Sequence, residues 1–94
     1  MPTVHVYLNG TNVRAGGCLR SDPDNVLTTI PAGDYNAHHQ SVGDDVKRSA
    51  TVFNYWWVKI DTPAGPGWVS ATRVSGGDNN GPVPHVPKHR TEFV

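Results

Sequence analysis

Turn-forming sequences interrupt this 94-residue chain at short intervals and constrain its fold more than any other feature. Asn9-Gly10 is a strong turn signal, and "PAG" at residues 31–33 and "DTPAGPG" at residues 61–67 are further turns. The chain holds 10 glycines and 8 prolines, which leaves no room for a helix longer than a turn or two. We therefore expect an all-β domain with a thin core, because a chain this short buries only about 60% of its unfolded surface.

The segments between the turns have the alternation or the β-branched content of short strands. The polar stretch "GDDVKRSA" at residues 43–50 breaks this pattern and predicts a hairpin tip or an exposed loop. Asn9-Gly10 predicts a hairpin between the first two strands. The succession of short strands and turns along the chain predicts a meander in a small barrel or sandwich. The expected strands are "VHVYL" at 4–8, "TNVRA" at 11–15, "VLTTI" at 26–30, "DYNAHHQSV" at 34–42, "TVFNYWWVKI" at 51–60 and "WVSATRV" at 68–74, the last as a strand or as a strand plus one helical turn.

Four short motifs in this order resemble the bacterial SH3 (SH3b) family: "NVRAG" at 12–16, "VLTTIPAG" at 26–33, "WVKI" at 57–60 and "GWVS" at 67–70. The resemblance covers roughly residues 4–74 and implies a small SH3-like β-barrel. Thr11 stands where the family has leucine, and the segment between Asp34 and Trp57 is longer than the family's hairpin. We expect a barrel with an enlarged hairpin loop over residues 1–74, and an extended Gly/Asn/Pro-rich tail over residues 75–94.

Strand alternation in "FNYWWVKI" sends its two adjacent tryptophans to opposite faces. Trp56, Val58 and Ile60 form the better core face, so Trp57 is expected to point outward, and the resemblance implies that Trp57 lines a surface groove. Outward aromatic patches mark interaction sites, although the long hairpin or the tail could instead fold back over Trp57. The candidate binding residues are Phe53, Tyr55, Trp57, Lys59 and Trp68.

The tail carries "PVPHVP", in which Pro84 and Pro87 form a P-x-x-P arrangement that favours the polyproline II conformation. Phe93 and Val94, in the terminal "TEFV", could add a strand to a neighbouring sheet edge. We expect Pro84, Pro87, Phe93 and Val94 to make tail contacts. The alternative is a flexible linker.

Catalytic and metal-binding patterns are absent from the sequence. His85 and His89 have a spacing used in zinc sites, but Pro87 removes the helix that would align them, and no third ligand is near. Cys18 lies in a glycine-rich loop without a nucleophile motif. We expect a protein that is not an enzyme and that uses no metal or cofactor.

The charge balance and hydropathy argue against two classes of partner. Lys plus Arg equal Asp plus Glu at 8 each, so a nucleic-acid-binding face is not expected. Apolar runs are too short to span a membrane, and the N-terminus lacks the pattern of a signal peptide. These features predict a cytoplasmic or virion location.

Two functions remain open at this point. The first is a structural or interaction subunit that packs into a larger assembly, against protein partners or copies of itself, through its aromatic face and its tail. A bacteriophage virion component is one instance of such a subunit. The second, implied by the SH3b resemblance, is a peptidoglycan-binding module that targets the cell wall.

Overall fold

The computed structural model describes residues 2–15, 25–47, 49–77 and 81–88. These residues form six strands and one short 3-10 helix, so the predicted all-β class and the helical turn after the last strand are confirmed. The strands are β1 (Thr3–Val6), β2 (Thr11–Arg14), β3 (Val26–Ile30), β4 (Gly33–Lys47), β5 (Phe53–Ile60) and β6 (Gly67–Ser70), and the 3-10 helix is Ala71–Arg73.

The strands form one antiparallel sheet in the order β1-β4-β5-β6-β2-β3. The sheet curls into a half-barrel, because the chain after the 3-10 helix returns to β1. Val74 bridges Val6 there, and the backbone N–H of Ser75 donates to the carbonyl of His5 at 2.9 Å. This architecture is consistent with an SH3-like barrel.

The Asn9-Gly10 turn does not make a hairpin. Gly10 has a φ of 70°, as the turn requires, but β1 pairs with β4 whereas β2 pairs with β3 and β6. The predicted hairpin between the first two strands is therefore wrong, and consecutive strands pair only within β2-β3 and β4-β5-β6. A turn sequence sets the local bend, whereas the burial of each strand's apolar face selects its partner.

The hairpin between β4 and β5 is enlarged through the length of its strands. β4 runs for 15 residues and continues to Lys47, so much of the polar stretch predicted as a loop is strand. The turn follows, where the Ser49 hydroxyl accepts from the backbone N–H groups of Thr51 at 3.2 Å and Val52 at 3.1 Å. β4 also carries two irregularities, between Ala37 and His39 and between Val42 and Val46. Such bulges bend a strand and redirect its side chains.

The core lies between the concave face of the sheet and residues 81–88. Val83 and Val86 are both almost fully buried, at 4% and 5% exposure, and they complete the apolar cluster. The other members of the cluster come from the sheet and the 3-10 segment: Val4, Val6, Val13, Ile30, Ala37, Val58, Ile60, Val69, Ala71 and Val74. Residues 81–88 are therefore packed, and the flexible-linker alternative does not hold for them.

Two buried amides attach residues 81–88 to the sheet. The Gln40 side chain donates to the carbonyls of Val83 at 2.7 Å and Val86 at 2.8 Å, and it accepts from the Val83 N–H at 2.7 Å. The Asn54 side chain donates to the carbonyls of Gly77 and Gly81. An irregular segment can be buried only when its backbone groups find partners, and these two side chains supply them.

The part of the chain that the structure describes contains no helix with the length and apolar character needed to cross a membrane.

Candidate binding cleft

The convex face of the sheet carries two cross-strand rows of side chains. In the first row, His39 of β4 is paired with Lys59 of β5, which is paired with Trp68 of β6, which is paired with Arg14 of β2. The second row runs through Ser41, Trp57 and Ser70. The sequence motifs that resemble SH3b thus come side by side, although they are far apart along the chain.

Trp57 lies on the convex face, as alternation predicted, but the prediction that it is exposed is wrong. Its exposure is 2%, and its indole Nε1–H donates to the carbonyl of Asp44 at 2.9 Å. The irregularity of β4 between Val42 and Val46 places Asp44 there, because the extra residues of β4 arch over β5. The alternative that the long hairpin covers Trp57 is therefore confirmed.

The core face of β5 departs from the prediction at one position. Val58 and Ile60 are buried as expected, but Trp56 is only half-buried and packs at the margin of the core cluster. Asn54 is instead fully buried on that face, beneath the carbonyls of Gly77 and Gly81. The chain at Gly77 and Gly81 causes this difference, because it covers Asn54 and leaves Trp56 at the margin of the core.

Trp68 is also buried, at 3% exposure. Its ring meets the His39 ring edge to face with centroids 5.5 Å apart, and Lys59 Nζ lies 5.8 Å from its centroid. Of the remaining predicted binding residues on β5, Phe53 is half-buried and Tyr55 is 39% exposed. Trp57 and Trp68 are therefore both covered by other parts of the chain, and Tyr55 is the aromatic side chain of β5 that faces solvent.

A cleft of about 100 Å³ opens at Trp57 on this face. Its lining comes from β2, β4, β5, β6 and the 3-10 helix: Asn12, Arg14, Val46, Trp57, Ser70 and Arg73. Four of these residues belong to the motifs "NVRAG", "WVKI" and "GWVS". The fold thus brings Asn12, Arg14, Ser70 and Arg73 together around the buried Trp57.

Hydrogen bonds fix the wall of the cleft that carries Ser70 and Arg73. The Ser70 hydroxyl caps the 3-10 helix by accepting from the Thr72 N–H at 3.2 Å, and the Ser70 and Thr72 hydroxyls are 2.9 Å apart. Tyr7 then holds the helix to the end of β1, since its hydroxyl donates to the Thr72 carbonyl and its N–H donates to the Arg73 carbonyl at 3.2 Å. The Tyr7 side chain is 40% exposed beside this wall.

The predicted tail contacts are only partly within the described residues. Pro84 and Pro87 are exposed, and Pro87 contributes its carbonyl, which accepts from the Gln40 N–H at 2.7 Å. Phe93 and Val94 lie outside the described residues. The buried contacts come instead from Val83 and Val86, which the P-x-x-P pattern does not indicate. The sequence gives little indication that these valines are buried, because a spacing of three residues does not match the two-residue period of a strand.

The histidines that the structure describes do not gather into a metal site. His5 Nδ1 lies 2.8 Å from Asp34 Oδ1, and His38 Nε2 lies 2.7 Å from Asp61 Oδ1, as two separate surface pairs. No group of three or more His, Cys, Asp or Glu side chains suited to a metal occurs among residues 2–15, 25–47, 49–77 and 81–88. Cys18 and His89 lie outside these ranges.

Comparison with known proteins gives no relative: no protein family, curated protein or solved structure matches the chain.

Proposed function

We propose that this protein is a non-catalytic interaction subunit that docks onto a protein partner, or onto copies of itself, through the convex face around the cleft. One observation carries the proposal: the exposed Tyr55 lies two residues from Trp57 on this face, and the exposed Tyr7 is bonded to the 3-10 helix that bears Arg73 at the cleft. Tyrosine, tryptophan and arginine are the residue types that contribute most of the energy at protein interfaces.

The exposed residues around the cleft support the same proposal. Tyr7 is tied to the 3-10 helix that bears Arg73, and Tyr55 stands two residues from Trp57 on the same face of β5. The two tyrosines are 40% and 39% exposed. A tyrosine offers a large apolar surface and a polar tip at low conformational cost, which suits a contact that forms and dissociates.

Residues 81–88 contribute to such a subunit by completing its core. Val83, Val86 and the Gln40 hydrogen bonds occupy residues 81–88, so the partner is expected to contact the opposite, convex face. A structural subunit in the cytoplasm or in a bacteriophage virion is an instance of this function.

A peptidoglycan-binding module is the second candidate, and the SH3b-like motifs favour it. Four cleft-lining residues come from those motifs.

The proposal is tested by selecting displayed random peptides on the purified chain, and by measuring its self-association with sedimentation velocity over a wide concentration range. We expect selected peptides or self-association, with affinity lowered by about 2 kcal/mol or more in Tyr7→Ala and Tyr55→Ala. Leu27→Ala is the matched control, because Leu27 is 42% exposed and does not line the cleft.

The competing function is tested by sedimenting the protein with isolated bacterial cell walls. Saturable wall binding that is lost in Tyr55→Ala, in the absence of selected peptides and of self-association, would replace the proposed function with wall targeting. Peptide binding that is insensitive to both tyrosine changes would show that the convex face is not the docking surface.

A further inference from the structure

The curled sheet has two edges, and the chain itself partly covers the β1 edge. Val74 bridges Val6 there, and the Ser75 N–H donates to the carbonyl of His5 at 2.9 Å. These contacts occupy backbone groups of β1 that would otherwise point away from the sheet. The barrel therefore protects this edge with its own residues.

The opposite edge, β3 (Val26–Ile30), has no such cover among the residues that the structure describes. β3 pairs with β2 on one side only. Its one other hydrogen bond in the described chain lies within the strand, from the Thr28 hydroxyl to the Thr29 carbonyl at 3.4 Å. Every second residue of an edge strand turns its N–H and C=O outward, so β3 presents a row of unpaired donors and acceptors.

The side chains of β3 do not block pairing at this edge. The strand "VLTTI" contains no charged residue and no proline, which are the usual means of protecting an edge. Val26 and Leu27 are 39% and 42% exposed, and they are two of the four large hydrophobic residues exposed in the described chain. A bulge opposite Val13 and Arg14 bends the beginning of β3, but Thr28–Ile30 stay in regular register with β2. Exposed apolar side chains and an open backbone edge thus coincide on one strand.

We propose that the β3 edge pairs with the β3 edge of a second copy of this chain, in antiparallel orientation, and joins the two sheets into one. The inference goes beyond the proposed function, because it uses the edge of the sheet and none of the residues that line the cleft on the convex face.

The chemistry of this edge calls for an extended strand as its occupant. Another strand can meet a row of alternating donors and acceptors, whereas a helix uses its backbone groups within itself. Val, Thr and Ile are residue types enriched in strands, and pairs of threonines or of β-branched residues across two strands are favourable. β3 therefore has both the backbone and the side chains of a strand that can accept a neighbour.

The lack of charge favours a second copy as the source of that strand. Each paired residue of β3 meets an uncharged residue of the second copy's β3, so no like charges come together within the strand pair. Arg14 pairs with Val26 at one end of β3, and antiparallel pairing keeps the two Arg14 residues at opposite ends of the contact. The chain has a net charge of zero at pH 7, so two copies do not repel each other. A two-fold contact uses both open edges at once and closes at a dimer.

The test measures self-association of the full chain by sedimentation velocity up to about 1 mM, because a strand of five residues makes a small, weak interface. We expect a monomer–dimer equilibrium. Amide hydrogen exchange, followed residue by residue at low and high protein concentration, locates the contact. Alternate amides of Val26–Ile30 should become protected as the dimer forms, because their outward N–H groups gain acceptors.

Thr29→Lys and Thr29→Glu probe the edge by charge. Thr29 is exposed, so either new side chain can project into solvent in the monomer, but the dimer brings two like charges close together. Each variant alone is expected to associate about ten-fold or more weakly than the parent. An equimolar mixture of the two should recover the association, because opposite charges then meet. Thr3→Lys is the matched control, because Thr3 is an exposed threonine on β1, at the opposite edge of the sheet.

Four results would overturn the inference: a monomer at all concentrations, association without added protection of β3, equal weakening by Thr3→Lys, and no recovery in the mixture. If the charged variants do not fold, the exchange measurement on the unchanged protein decides the question. Protection of β3 by a selected peptide, in a chain that stays monomeric, would assign the edge to a partner's strand and refute the second copy.

The β3 contact and the proposed docking function can fail independently. Association that is lost in Thr29→Lys and kept in Tyr55→Ala belongs to the β3 edge, whereas the reverse pattern belongs to the convex face and overturns the inference. Leu27 lies on β3, so Leu27→Ala is the control for peptide binding and Thr3→Lys is the control for self-association. Selected peptides that still bind Thr29→Lys leave the docking function intact.

Discussion

The buried side chain of Gln40 joins the C-terminal segment to the barrel, so Gln40→Met is expected to destabilise the whole domain. Gln40 is fully buried and makes three hydrogen bonds, to the carbonyls of Val83 and Val86 and from the N–H of Val83. Methionine has a similar length and fills the same space without a partner for these groups. The change therefore isolates the hydrogen bonds from the packing.

The expected loss follows from the three backbone groups that become unsatisfied. Each buried polar group without a partner costs about 1–3 kcal/mol, so the loss should be at least about 3 kcal/mol. It is also bounded from above, because the segment can detach and hydrate its backbone. Detachment exposes Val83 and Val86, each worth about 1.5–3 kcal/mol, which caps the loss near about 6 kcal/mol.

Urea denaturation followed by tryptophan fluorescence measures this loss as a change in the free energy of unfolding. A loss of about 3 kcal/mol lowers the Tm of a domain of this size by about 12–24 °C. The control is the same substitution in a chain that ends at Gly77, where the partners of Gln40 are absent. Gln40→Met should cost less than about 1 kcal/mol there, which gives a coupling of about 2 kcal/mol or more between Gln40 and the segment.

Two results would refute this reasoning. A free energy of unfolding within about 0.5 kcal/mol of the parent would show that the segment does not depend on Gln40. An equal loss in the parent and in the shortened chain would show that Gln40 acts on the sheet and not through residues 81–88. If the shortened chain does not fold, hydrogen exchange in full-length Gln40→Met decides, and unchanged protection of the Val83 amide would contradict the argument.

Two further predictions follow from burial and close approach. Trp57→Ala should lower the free energy of unfolding by about 3–5 kcal/mol, and Trp56→Ala should lower it by less, because Trp57 is buried beneath β4 whereas Trp56 is half-buried. Urea denaturation measures both losses, and an equal or larger loss for Trp56→Ala would contradict the burial of Trp57 beneath β4. Gly77→Ala should lower the free energy of unfolding by about 1–3 kcal/mol, because the new Cβ would collide with the carbonyl of Ala71. Gly81→Ala should be nearly neutral, because a Cβ there has no neighbouring atom within 4 Å. Thermal unfolding measures both changes, and equal effects would contradict the close approach of Gly77 to Ala71.

Local sequence signals determined the strands and their turns. Alternation and β-branched content identified β3, β5 and β6, and the glycine and proline clusters at residues 31–33 and 61–67 located turns between strands that are consecutive in the sequence. These features are set within a few residues, since each strand needs one apolar face and each tight turn needs special backbone angles. The SH3b-like motifs also indicated the barrel class.

The burial of Trp57 and of Trp56 could be known only from the tertiary structure, because it depends on segments that are distant from β5 in the sequence. The bulge in β4 covers Trp57 with the carbonyl of Asp44, and no alternation pattern within β5 can show it. The convergence of Arg14 and Arg73 arises in the same way, from the pairing of β2 with β6 and the capping of the 3-10 helix by Ser70. Strand period fixes the face on which a side chain lies, whereas its burial and its neighbours are fixed by what the rest of the chain places over that face.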